Sequence, residues 1–251
     1  MKRLCSLLLA LSLLLTLPSV LAEKESDPLS KFALRNGSRD EKKIAITVDD
    51  FFDLESGWKI RDLLHELGVV ATFFPCGFTI KPEDGPEWQL AIDYGFEIGS
   101  HNYGHYKMGR SSATAIISSL GRTQQALDEA LGYHYGINSL RPPGGNMKDE
   151  TGSDKTFRRG VKKFGYEHVV LWEVSQTDPQ KVLQKTKNGS ILLFHTRGKD
   201  YRCLQKVIPE LLAQGYEMVT VSELLGFGPI ETGPEPYVFH MEYYQQQSGD
   251  D

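Results

Sequence analysis

From Lys43 onward, short apolar runs rich in β-branched and aromatic residues alternate with longer amphipathic stretches, and this rhythm limits the possible folds more than any other property of the chain. Ile44-Ala45-Ile46-Thr47-Val48 reads as a strand; apolar residues at helical spacing follow from Trp58 to Leu67, and Gly68 stops that helix. Residues 69–74 are continuously apolar, as in strands covered on both faces of a parallel sheet. A short helix over 86–94, a strand over 96–98 and the longest helix, 112–131, come next, and Ile137 to Leu140 lead into a loop headed by Arg141. The alternation continues with a helix over 155–164, a strand over 167–172, a helix over 179–185 and a strand over 190–194. A helix over 201–214, where Pro209 predicts a kink or a late first turn, a strand over 215–219 and a short helix over 221–225 complete it. Six or seven strand–helix units in this order specify an α/β fold, either a parallel barrel or a doubly wound sheet. No fixed period repeats, which excludes a solenoid.

The ends of the chain differ from this body. Residues 1–22 read as a signal peptide: Lys2 and Arg3, an apolar run from Leu4 to Leu17, then Pro18 to Ala22 before Glu23. The run is shorter than the roughly 20 residues a membrane span needs, and Cys5 is misplaced for a lipid anchor. The expectation is a secreted or cell-surface protein that meets a membrane only during export. Residues 23–41 are expected to be a polar surface leader, 42–227 the folded domain that carries the function, and 228–251 a tail whose packing is left open. The formal net charge of −5 argues against nucleic acid and against anionic polymers held by charge alone. Cys76 and Cys203 outlast processing, as a bridge or as buried thiols, but two cysteines do not build a disulfide scaffold. Nothing in the sequence requires more than a monomer.

Functional groups of α/β folds sit where strands end and loops begin. Asp49 and Asp50 follow the first strand, His101 and His105 the third, Arg141 the next; Asp178 comes shortly after the Trp172 strand, and His195 ends the Phe194 strand. Two adjacent ionised carboxylates in a half-buried loop are costly without a cation. Asp50, His101 and His105 together make a ligand set for a catalytic divalent metal, Zn²⁺ first, with Co²⁺, Ni²⁺ and Mn²⁺ also suited to imidazole and carboxylate. Asp49 is then free to act as a base. Arg141-Pro142-Pro143-Gly144-Gly145 is a stiff loop whose glycine backbone could turn an amide toward an oxyanion. Arg141 is expected to orient Asp49 and to be held by Asp178, and His195 to donate a proton to a leaving group.

These residues resemble the polysaccharide deacetylases with a NodB-homology domain, carbohydrate esterase family 4. Thr47-Val48-Asp49-Asp50-Phe51 stands where that family has T-F-D-D-G, which implies Asp49 as general base and Asp50 as metal ligand. His101-Asn102-Tyr103-Gly104-His105 matches the spacing of H-S/T-x-x-H and implies two more ligands. Arg141-Pro142-Pro143 matches the start of R-x-P-Y/F, with Gly144 in place of the aromatic. Ser175-Gln176-Thr177-Asp178-Pro179 keeps only the second acid of D-x-x-D-W, and Leu193-Phe194-His195 matches L-x-H, implying His195 as general acid. The likeness covers residues 42 to 225 and implies a distorted (β/α) barrel of about seven parallel strands. It further implies metal-dependent hydrolytic deacetylation of N-acetylated sugars in a peptidoglycan- or chitin-like polymer. Phe51, Gly144 and Pro179 depart from the family and are expected to reshape the groove that holds the sugar. Alternatives are an O-deacetylase or amidase acting on a smaller substrate, and a glycan-binding domain with little turnover.

Overall fold

The computed structural model describes residues 31–246; the expected signal peptide and cleavage point lie outside them. At the centre is β2 (Lys43–Asp50), whose Ile44, Ile46, Thr47 and Val48 are fully buried. It pairs in parallel with β3 (Thr72–Pro75) on one side and β7 (Ile191–His195) on the other, so Asp49 lies level with both Phe74 and His195. Next to β3 runs β4 (Glu97–Ile98), also parallel.

Single bridges carry the circuit onward. Ser100 bridges Leu140, the Leu140 carbonyl accepts from the Val170 amide of β6 (Val169–Val170), and Val174 bridges Leu192 of β7. The sheet therefore closes on itself, as a distorted parallel barrel. Two short strands add to it: β8 (Glu217–Met218) pairs with Lys43 and Ile44 at the start of β2, and β1 (Ala33–Leu34) pairs with β6 along its length. This places part of the expected surface leader in the fold, since Phe32 and Ala33 are buried and β1 belongs to a sheet. The leader's polar residues hid an apolar pair that the sheet needed.

Around the barrel pack α1 (Leu54–Glu66), α2 (Gly85–Asp93), α3 (Ala113–Leu131), α4 (Lys155–Phe164), α5 (Pro179–Lys185), α6 (Gly198–Ala213) and α7 (Val221–Leu225). Asp53, Ser112, Asp178 and Thr220 cap their helices with side-chain oxygens, as such residues do at N-termini. Pro209 does not fall in a late first turn: α6 runs through it from Gly198 to Ala213. Tertiary packing of Leu204, Val207, Ile208 and Leu211 outweighs the one lost backbone hydrogen bond.

The tail is docked over its described length. It adds β9 (Thr232–Gly233), antiparallel to β5 (His134–Tyr135), and ends in α8 (Met241–Gln246). Its Tyr237 and Phe239 amides donate to Asp128 and Gln125 of α3. Cys76 and Cys203 are both buried free thiols. No described helix is long and apolar enough to cross a membrane.

Candidate metal and catalytic site

A regular strand sends neighbouring side chains to opposite faces. Asp49 and Asp50 escape that rule because the chain turns sharply as β2 ends: φ is 77° at Asp50 and 61° at Phe51. Among the described residues, the other non-glycine positions with left-handed backbone are Asn102 and His105. Such conformations are costly and gather where surrounding structure enforces them for a purpose; here they gather at one point.

The turn carries Phe51 inward, which corrects the expectation that it shapes the groove. Phe51 is fully buried against Phe73, Trp88 and Trp58, at ring-centroid distances of 4.9, 5.1 and 5.9 Å. Gly57 makes room for it, since a Cβ there would lie 2.8 Å from the Phe51 ring. Phe52 takes the outward place. It is 54% exposed and lies 5.8 Å from the Phe78 ring and 5.3 Å from the His105 ring.

Asp50, His101 and His105 each offer a ligand atom, all within 4.8 Å of one another. Asp50 Oδ1 lies 3.2 Å from His105 Nε2 and 3.5 Å from His101 Nε2. That oxygen is buried and has no hydrogen-bond partner. His101 donates from Nδ1 to the Arg141 carbonyl at 2.7 Å, the tautomer that leaves the Nε2 lone pair facing Asp50. An orphaned carboxylate oxygen and two converging imidazole nitrogens fit a divalent cation. Burial pushes the Asp50 carboxyl up, but the neighbouring His101 ring, with His195 and His105, outweighs it and holds the carboxyl below its usual range.

Asp49 stays apart from this group. Its Oδ1 accepts from Arg141 Nη1 at 2.7 Å, and its Oδ2 lies 3.8 Å from His101 Nε2. Arg141 is wholly buried; it also donates to Thr47 Oγ1 at 2.6 Å, the Leu171 carbonyl at 3.1 Å and the Val170 carbonyl at 3.3 Å. These acceptors, with the Asp49 charge, offset the desolvation of a buried cation. Asp178 is not among them. It accepts from the Gln180 and Lys181 amides as the N-cap of α5, which corrects its expected contact with Arg141; Pro179 is the first residue of that helix. Gly144 sits on an exposed turn after Arg141 with φ 61°, a conformation suited to glycine.

His195 ends β7 half-buried. Burial pushes its ring below the ordinary imidazole value, and Arg197 acts in the same direction, against Asp49, Asp50 and Asp200. Arg197 and Asp200 escaped the sequence reading, as did the supports of the histidine loop. Arg197 Nη2 lies 3.4 Å from Asp50 Oδ2. Asn102 Oδ1 accepts from the Tyr103 amide at 2.7 Å and from Ser119 of α3. No family motif or hydrophobic period marks Arg197, Asp200 or Ser119, and Asn102 stands where the H-S/T-x-x-H motif has Ser or Thr.

The family profile described as polysaccharide deacetylase matches residues 36–169. The chain is 32% identical over 227 residues to the peptidoglycan-N-acetylglucosamine deacetylase of Bacillus cereus, covering 83% of this chain and 99% of that protein. It is 27% identical to the peptidoglycan-N-acetylglucosamine deacetylase PgdA of Listeria monocytogenes, covering 75% of this chain but 40% of that protein. Among solved structures, a mutant of a Bacillus anthracis family 4 carbohydrate-esterase pseudoenzyme, with restored enzymatic activity, superposes with a TM-score of 0.67 at 26% identity, over 79% of this chain and 73% of that one.

Proposed function

This chain belongs to the polysaccharide deacetylase family, and on that premise we propose that it hydrolyses the acetamido groups of N-acetylated sugars in a peptidoglycan- or chitin-like polymer. The observation that carries the proposal is the convergence of Asp50, His101 and His105 beside an Asp49 that is paired with Arg141 and kept off them. The site's ion would be Zn²⁺, and Co²⁺, Ni²⁺ or Mn²⁺ suit the same donors. When bound, such an ion supplies a Lewis acid for the acetyl carbonyl and makes water a better nucleophile.

The chain's own residues supply the rest. Arg141 engages one oxygen of Asp49, leaving Oδ2 toward the site to take the proton of the attacking water. The Gly144 backbone amide is the candidate donor to the developing oxyanion. As the carbon–nitrogen bond breaks, His195, level with Asp49 across the β2–β7 pair, gives a proton to the departing amine. Acetate and a free amino sugar result. Phe52 and Phe78 offer exposed ring faces beside His105 for a sugar ring. An export signal in residues 1–22 accords with a polymer outside the cell.

Acetate release from a panel of acetylated glycans, acetyl esters and non-sugar amides, with chelator and with Zn²⁺ restored, tests the proposal. Release from acetamido glycans that chelation abolishes and metal restores is expected. Release confined to esters or small amides would overturn the substrate class, and glycan binding without release would overturn catalysis.

A further inference from the structure

Asp200 has no part in the proposed reaction, yet it is 1% exposed and neither of its carboxylate oxygens has a hydrogen-bond partner. Burying a carboxylate without partners costs several kcal/mol, and such a group needs a reason to persist. Helix stabilisation is not the reason. Asp200 lies in the first turn of α6, but its oxygens cap no amide there, and an exposed aspartate would serve the helix dipole as well. Nor does a neighbouring cation neutralise it: Arg197 turns toward Asp50, and Lys199 forms no ion pair with it.

What Asp200 shares with His195 is a cavity of about 240 Å³, lined also by Ser175, Gln176, Thr177 and Arg197. The cavity is polar, and its walls bring the carboxylate and the ring to one place. Each group feels the other's charge: Asp200 favours the protonated ring, and the ring favours the ionised carboxylate. Arg197 and Lys199 are the other charges acting on Asp200, and Cys203 lies within reach of its field.

We infer that Asp200 is the positioning residue for His195, holding the imidazole across this cavity in the orientation from which it protonates the leaving amine. The inference rests on His195 being that acid. Asp178, the acid that the sequence analysis singled out near this strand, is committed to capping α5.

The test exploits leaving-group chemistry. An acetamido sugar needs its amine protonated as the carbon–nitrogen bond breaks; 4-nitrophenyl acetate expels a phenolate that needs no such proton. Asp200→Asn is expected to lower kcat on N-acetylglucosamine oligomers by about ten- to a hundredfold, with KM unchanged and aryl-ester turnover within about twofold of wild type. In a His195→Ala background the same substitution should cost nothing further, because its effect passes through the ring. Asp200→Ser, tested alongside, serves where the asparagine variant does not fold. Equal losses on both substrates, or an undiminished loss without His195, would overturn the inference while leaving the deacetylase reading intact. A wild-type protein that releases no acetate from any acetamido glycan would overturn both.

Discussion

His101 donates from Nδ1 to the backbone carbonyl of Arg141 at 2.7 Å. One residue thus supplies two functions: its guanidinium holds Asp49, and its carbonyl fixes the ring that faces Asp50. Neither function needs the other's side chain, so base and ligand set can be separated by substitution.

Asp50 contributes the buried oxygen with no partner. Asp50→Asn should therefore weaken divalent metal binding by more than the about 10- to 100-fold typical of losing an outer-shell partner, and chelation-reversible acetate release should fall with it. Calorimetric titration with Zn²⁺, with circular dichroism as the check on folding, measures this. Wild-type affinity in the variant would remove Asp50 from the ligand set.

Asp49 and Arg141 should behave differently from Asp50 and from each other. Arg141→Met leaves Asp49 buried without its cation and is expected to cost about 3–5 kcal/mol of stability, read from urea unfolding. Asp49→Asn keeps a polar neighbour for a guanidinium that retains Thr47 and two carbonyls. It should unfold closer to wild type and bind Zn²⁺ normally, but lose about 10²- to 10⁴-fold in kcat. A matching fall in metal affinity would make Asp49 a ligand and end its role as base.

Particular residues show what the sequence could convey. The meeting of Asp50, His101 and His105 was legible because strand ends share one edge of an α/β fold and a four-residue spacing sets both rings on one loop, although left-handed backbone at Asp50, Asn102 and His105 completes it. Phe51 was misread as a groove residue because its direction depends on a left-handed turn that no local pattern announces. Asp178 was misassigned because one aspartate followed by a proline serves equally as a loop acid and as a helix cap, and the cap won. Asp200 and Arg197 stayed hidden because their importance lies in burial and in what surrounds them. In the fold, β1 was missed since two residues carry too little periodicity to stand out among polar neighbours.

Phe52 is exposed because the turn that buries Phe51 leaves it outside, where it flanks His105 and Phe78. A ring placed so can stack on a sugar without touching the reacting atoms. Phe52→Ala should raise KM for acetylated oligosaccharides by about fivefold or more, the equivalent of roughly 1 kcal/mol of aromatic contact, and leave kcat and 4-nitrophenyl acetate turnover near wild type. Unchanged KM on long oligomers would exclude Phe52 from the glycan groove.

The fold also carries its own pH response, at Glu97. This residue is 3% exposed on β4, and its carboxylate accepts from the Ser222 amide at 2.8 Å, from the Ser139 hydroxyl at 3.0 Å and from Thr72 Oγ1 at 3.3 Å, joining α7 to the barrel. Burial pushes its pKa up, and these hydrogen bonds only partly oppose the shift. Over the interval between the ordinary glutamate value and the raised one, the folded protein keeps a proton that the unfolded chain releases. The stability this proton confers is complete below the unfolded value and is lost as pH climbs through the folded one. Glu97→Gln carries a side chain that does not titrate and can still accept from Ser222 and meet Ser139. Urea midpoints measured for both proteins from about pH 4 to about pH 8 should show wild type losing ground to the variant as pH rises. A constant difference across that range would mean that Glu97 ionises as it does in the unfolded chain, and that its hydrogen bonds fully compensate its burial.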